Sequence, residues 1–148
     1  MTALPPRLSA VTLGARDLPR LRAFYKDLGF PTGFENADEF ASFLVGGVLL
    51  ALYPLDLLAA EAAPDVGPPE GGWTGVTLTI NVNARDEVDG AYAAAIDAGA
   101  IVVGEPVDRE WGGRSGYFAD PEGNRWEVAW APNMTFDDRG AVIQFGSE

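Results

Sequence analysis

The chain has 148 residues, 47% hydrophobic and 22% charged, with a formal net charge of −12. That is long enough for one domain with a real core, and no apolar run approaches the roughly 20 residues of a membrane helix. The absence of cysteine and histidine excludes disulfides, thiolate catalysis, imidazole bases and metal sites built from sulfur or imidazole.

The charge disfavours nucleic acid and anionic membrane surfaces as partners and would attract a cationic small molecule, besides supporting solubility. Any general base must be Asp, Glu, Tyr or the single lysine, Lys26. The N-terminus "MTALPPRLSA" has no basic region followed by an apolar one. No signal peptide is expected, and a cytoplasmic location is.

In chain order, the first element is a strand at "LSAVTLGA". Val11, Leu13 and Ala15 face one way and Ala10, Thr12 and Gly14 the other. A helix follows over Leu18–Leu28, with Asp17 as N-cap and Pro19 in the first turn, where it is tolerated. Its apolar stripe is Leu18, Leu21, Phe24, Tyr25 and Leu28, and Gly29 ends it. Strand-like segments come next near Thr32–Glu35, Phe40–Val45 and Val48–Tyr53. The apolar stretch "VGGVLLALYPLDLLAA" is broken by its glycines, Pro54 and Asp56, and "PDVGPPEGG", Pro64 to Gly72, reads as a linker or surface loop.

The second half repeats this order. Val76, Leu78 and Ile80 share one strand face, opposite Thr77, Thr79 and Asn81. A helix spans about Ala84 to Ala98, capped by Asn83, with Asp86 and Glu87 in its first turn and Gly99 at its end. Its stripe is Val88, Ala91, Tyr92, Ala95 and Ile96. Strands follow near Ile101–Val107, Arg114–Ala119 and Arg125–Trp130. The reading is an α+β chain of two βαβββ modules: about 7–56 and 73–132, joined by a loop at about 57–72 and followed by a tail, 133–148.

If the last hairpin turns across Asp120–Asn124, Tyr117 stands opposite Glu127 and Ala119 opposite Arg125. Trp126, Val128 and Trp130 then share the helix-facing side with Phe118. The other side of the inner strands collects Ala10, Thr12, Ala51, Tyr53, Thr77, Thr79, Tyr117 and Glu127. That set is small, polar and aromatic, which suits a ligand pocket better than a dry core. Trp111, just before a glycine pair, would close over such a pocket or brace a dimer contact. A plainer reading pairs Glu127 with Arg114 or Arg125. Asp120 and Asn124 are turn formers, and Asp108, Arg109 and Glu110 read as a solvated strand end.

The segments "VTLGARDLPRLRAFYKDLGF", "NVNARDEVDGAYAAAIDAGA" and "WGGRSGYFADPEGNRWEVAWAP" resemble the vicinal oxygen chelate superfamily, which includes glyoxalase I, bleomycin resistance proteins and extradiol dioxygenases. The resemblance lies in both halves and covers most of the chain. It implies paired βαβββ modules forming a curled mixed sheet around a cleft, and frequent homodimers. It also implies a divalent metal held by four side chains, usually His or Glu. Placed on this chain, those positions fall on Ala10, near Ala51, on Thr77 and on Glu127. Only Glu127 keeps a ligand-type side chain, so the expectation is that no metal and no other cofactor is bound.

Three functions fit these features. One is a metal-free small-molecule-binding protein that sequesters a cationic or planar drug or metabolite, with Glu127, Tyr117, Thr77, Thr79, Tyr53, Thr12 and Trp111 as candidate contacts. Another is a metal-free lyase or isomerase with Glu127 as catalytic base. The last is a structural or regulatory domain whose inner face is filled by its own loops, Trp111 or the tail. The first is favoured.

Overall fold

A computed structural model describes residues 4–146 of the chain. Strand β1 (Ala10–Ala15) leads to helix α1 (Leu18–Leu28), then to β2 (Ala41–Val45) and β3 (Val48–Pro54). Asp17 caps α1 by accepting a hydrogen bond from the Arg20 backbone N–H, and Gly29 closes it in the left-handed region at φ 97°. β3 is central in a three-stranded sheet, parallel to β1 and antiparallel to β2. The segment expected as a strand at Thr32–Glu35 is instead a loop, tied to β2 by an isolated bridge from Thr32 to Phe43, with a second bridge from Asn36 to Phe40 just before β2.

Helix α2 (Leu55–Ala62) follows directly on β3. Its sequence alone suggests an interrupted apolar stretch running into the loop. Pro54 does not break it, because a proline at the start of a helix removes only an N–H that has no helical partner.

The second module has β4 (Thr77–Asn81), a single 3-10 turn (Arg85–Glu87) and α3 (Val88–Asp97), then β5 (Ile101–Asp108), β6 (Arg114–Ala119) and β7 (Arg125–Trp130). Asn83 does not cap the helix. The Glu87 carboxylate reaches back to the Ala84 N–H at 2.8 Å and so satisfies the turn from within. These strands form a four-stranded sheet ordered β4-β7-β6-β5, with β4 parallel to β7. Val76 lies before β4 and is exposed. The tail contains a small antiparallel hairpin, β8 (Met134–Phe136) and β9 (Val142–Phe145). Residues 147–148 of the tail lie outside the described residues.

The fold is thus a mixed α+β arrangement of open sheets with few helices. One core serves both modules: Leu21, Phe24 and Tyr25 of α1 and Phe43, Leu50 and Leu52 of the first sheet join Val88 and Tyr92 of α3 and Phe118, Trp126 and Val128 of the second sheet. The Phe118 and Trp126 rings stack at an interplanar angle of 2°. At its centre the buried Tyr25 hydroxyl donates to Asp120 at 2.6 Å and accepts from the Trp126 indole N–H at 2.8 Å. The fully buried Asp120 also accepts from the backbone N–H groups of Glu122 and Asn124 and from the Asn124 amide. A buried carboxylate needs such partners. The turn after β6 therefore forms its own hairpin and locks onto the first module, a link reinforced by Glu122, which accepts the N–H groups of Arg16 and Asp17.

Candidate functional site

In the second sheet, alternation turns Leu78, Trp126, Val128 and Phe118 into the core and leaves Thr77, Thr79, Glu127 and Tyr117 on the opposite, inner face. The register lines three of these up: Thr79 stands opposite Glu127 on one side, and Tyr117 stands opposite it on the other. The Thr79 hydroxyl donates to Glu127 Oε1 at 2.9 Å and the Tyr117 hydroxyl donates to Oε2 at 3.1 Å. Glu127 is thus fixed by two neutral donors, one per oxygen. A carboxylate has about four acceptor positions, so further acceptor capacity remains for a ligand. The arginine pairing weighed from sequence is not made by Arg114, which binds Asp89 and Asp108.

Tyr117 is itself held in place. Its carbonyl accepts from the Tyr92 hydroxyl at 2.8 Å. The Arg109 guanidinium lies 5.6 Å from its ring centroid, while donating to the Ser115 hydroxyl and carbonyl. Burial, and then the charge and hydrogen bond of Glu127, raise the Tyr117 phenol above its ordinary pKa. Arg109 was expected in a solvated strand end. It is half-buried instead, because the chain reverses at Gly112–Gly113 and carries the end of β5 back over β6.

Glu127 opens into a cleft of about 640 Å³ lined by Thr79, Asn81, Trp111, Met134 and Phe145, among others. Trp111 reaches it because Gly113 has no side chain: a Cβ there would stand 2.0 Å from the indole ring. Met134 and Phe145 come from the tail hairpin. The sequence does not announce them, because a short hairpin with one irregular register step has little periodicity.

The structure brings together four of the candidate contacts, Thr79, Tyr117, Glu127 and Trp111. Thr77 shares their face, opposite Arg125. Thr12 and Tyr53 belong to the first sheet, where Thr12 is exposed beside Ala51 and the Tyr53 hydroxyl donates to Glu61 of α2 at 3.1 Å. A separate hollow of about 500 Å³ is lined by Arg85, Asp86, Asp89, Asp108 and Arg114. Its charges largely satisfy one another, with Arg114 forked onto Asp89 and both arginines on Asp108. This is a surface ion-pair network of the kind that contributes little.

The sequence pattern of the glyoxalase/bleomycin resistance protein/dioxygenase superfamily matches residues 7–128. The chain belongs to this superfamily. A solved glyoxalase-related enzyme from Fulvimarina pelagi is 28% identical and superposes with a TM-score of 0.80, covering 93% of this chain and 97% of that one. Metallothiol transferase FosB of Shouchella clausii is 27% identical over 124 residues, 82% of this chain and 77% of FosB. An uncharacterised protein of Mycobacterium bovis is 39% identical over 61 residues, 41% of this chain. The chain matches only 38% of the length of that relative.

The superfamily resemblance implies a divalent metal, and the donors present do not fit one. Ala10 and Ala51 end in methyl groups, and the two neighbours of Glu127 are hydroxyls that donate to it. Among the described residues no three His, Cys, Asp or Glu side chains are grouped to hold an ion. A single carboxylate lacks the several preorganised donors that metal affinity requires. Among the described residues, no helix is long and apolar enough to cross a membrane.

Proposed function

We propose that this protein binds a small organic cation with a planar ring in the Glu127 cleft, without a metal, and so sequesters a drug or metabolite. The observation that carries this reading is the carboxylate itself. Thr79 and Tyr117 hold it from either side, and it opens into a cleft that also contains Trp111 and Phe145. A fixed anion takes the N–H donors of a cation, and aromatic faces take its ring. The net charge of −12 favours the same ligand at long range.

The test is a titration with planar aromatic cations, proflavine first, followed by tryptophan fluorescence. Saturable quenching is expected, and Glu127→Gln should weaken binding about 10- to 100-fold, the value of a charge-assisted hydrogen bond. Absence of saturable binding across a panel of such cations would overturn the reading.

A second reading is favoured by the kinship with a glyoxalase-related enzyme: a metal-free lyase or isomerase. Glu127 would accept a proton from substrate while the Tyr117 hydroxyl, 3.1 Å from its carboxylate, turns to steady a developing oxyanion. It differs in outcome, since Glu127→Gln would then abolish turnover while leaving binding of a neutral substrate largely intact.

A further inference from the structure

The tail hairpin begins after the superfamily match ends at residue 128. The chain leaves β7 through Pro132 and reverses at Asn133, which adopts φ 62°. The Gly146 N–H closes the base of the hairpin on the Asn133 carbonyl at 2.9 Å. That base delivers Met134 and Phe145 to the Glu127 cleft. The tip is built by Asp137, whose carboxylate accepts the N–H groups of Arg139 and Ala141. It lies against the β2–β3 turn of the first module, where a Cβ on Gly46 would stand 3.5 Å from the Arg139 carbonyl oxygen. The hairpin therefore runs as a strap from the cleft to the other module.

Its apolar surface is not used up by the fold. Phe145 is 66% exposed although it lines the cleft, and Trp111, lining the same cleft, is 53% exposed. Both stay outside the shared core. A ligand in the cleft would cover both rings, and apolar area removed from water is the main source of affinity in such sites.

We propose that the tail hairpin is the specificity arm of this chain: Phe145, seconded by Met134, selects ligands with a flat ring while Glu127 selects for a cationic N–H donor. This rests on the binding reading above and adds to it a selector outside the superfamily-matched residues. The site would then discriminate by ring as well as by charge. A cation of the same charge without a ring would gain nothing from Phe145.

The test compares the full-length protein with Phe145→Ala, Phe145→Trp and Glu127→Gln, using proflavine as the planar cation. Phe145→Ala should weaken proflavine binding about tenfold, and Phe145→Trp should restore it to within about twofold, since a ring contact of this kind is worth about one such factor. The melting temperature should not move for either Phe145 variant, because the side chain lies outside the core. If Glu127→Gln weakens binding but Phe145→Ala does not, the arm is overturned and the binding reading stands. If proflavine binds and neither substitution matters, the probe sits elsewhere and both fall. If the unaltered protein binds no planar cation, both fall as well.

Discussion

The inner faces of the two modules carry the same row of positions with different contents. In the first, Thr12, Ala51 and Ser42 lie side by side; in the second the equivalent row is Thr79, Glu127 and Tyr117. In the first row Thr12 is exposed, but the other two positions are covered. Ala51 is 3% and Ser42 2% exposed. Ser42 donates to the Phe34 carbonyl beneath Gly33, which has room there only because it lacks a side chain. α2 covers the adjoining end, with Leu55 against Gly14, Tyr53 bonded to Glu61, and Ala59 buried apart from the main core. The second row carries a carboxylate and opens into a cleft. Repetition supplied two similar sheets, and an eight-residue helix together with one loop closed one of them. What packs on a sheet therefore decides the site as much as the strands do.

The largest test of this contrast exchanges the central residues. Ala51→Glu would force a carboxylate into a position that is only 3% exposed, and should cost about 3–5 kcal/mol in urea denaturation. Glu127→Ala removes two hydrogen bonds from a half-buried position whose donors can turn to water, and should cost no more than about 1 kcal/mol. Equal costs would mean that the two faces are equally open and the contrast is false.

A smaller effect probes the helix that closes the first face. Gly14 corresponds to Asn81 of the second module. A Cβ on Gly14 would stand 2.4 Å from the end of the Leu55 side chain and 3.2 Å from its Cα. Leu55 can swing its tip away, but its backbone can yield only if α2 shifts. Gly14→Val should therefore cost about 1–3 kcal/mol, the range for overpacking. Amide exchange in Leu55–Ala62 should rise with it. Asn81→Val, which loses only an amide hydrogen bond to the Ala129 carbonyl, should cost less than about 1 kcal/mol. Unchanged exchange in α2 would show that the helix does not depend on this glycine.

Much of this contrast was legible in the residues, and the parts that were not share a cause. The bounds of α1, the register of Tyr117 opposite Glu127 and the alternation of β4 all follow from strong local periodicity with clear caps and turns. α2 was missed because Pro54 and Asp56 read as breakers, although both suit a first helical turn. The strand expected near Thr32–Glu35 is a loop because Gly33 and Phe34 pack over Ser42 rather than extend beside it. Arg109 over Tyr117 and Phe145 in the cleft depend on chain reversals at Gly112–Gly113 and Asn133. A glycine pair announces a turn without saying where the turn delivers its neighbours. The coming together of Thr79, Glu127 and Tyr117 was readable because it lies within one sheet. What covers a sheet is a matter of non-local packing, which one sequence does not display.

The subtlest expected effect compares one tyrosine from each inner face. Tyr53 and Tyr117 both donate to a glutamate, Glu61 and Glu127 respectively, and both phenols are raised above the ordinary value of 10.0. The causes rank differently. For Tyr53 the hydrogen bond to Glu61 comes first and burial is minor; for Tyr117 burial comes first and Glu127 second. A raised folded pKa ties stability to the protonated phenol, so the contribution is fully present below 10.0 and is lost as the pH rises through the higher folded values. Absorbance titration of the phenolates should therefore respond unequally to loss of the partner. Glu61→Gln should return Tyr53 most of the way toward 10.0, whereas Glu127→Gln should move Tyr117 only part of the way, because its burial among β6, Tyr92 and Arg109 persists. Equal shifts would mean that Tyr117 is as wet as Tyr53. Glu127 would then stand beside a phenol no more desolvated than Tyr53, and the two inner faces would differ in cover and cleft but not in how they hold their tyrosines.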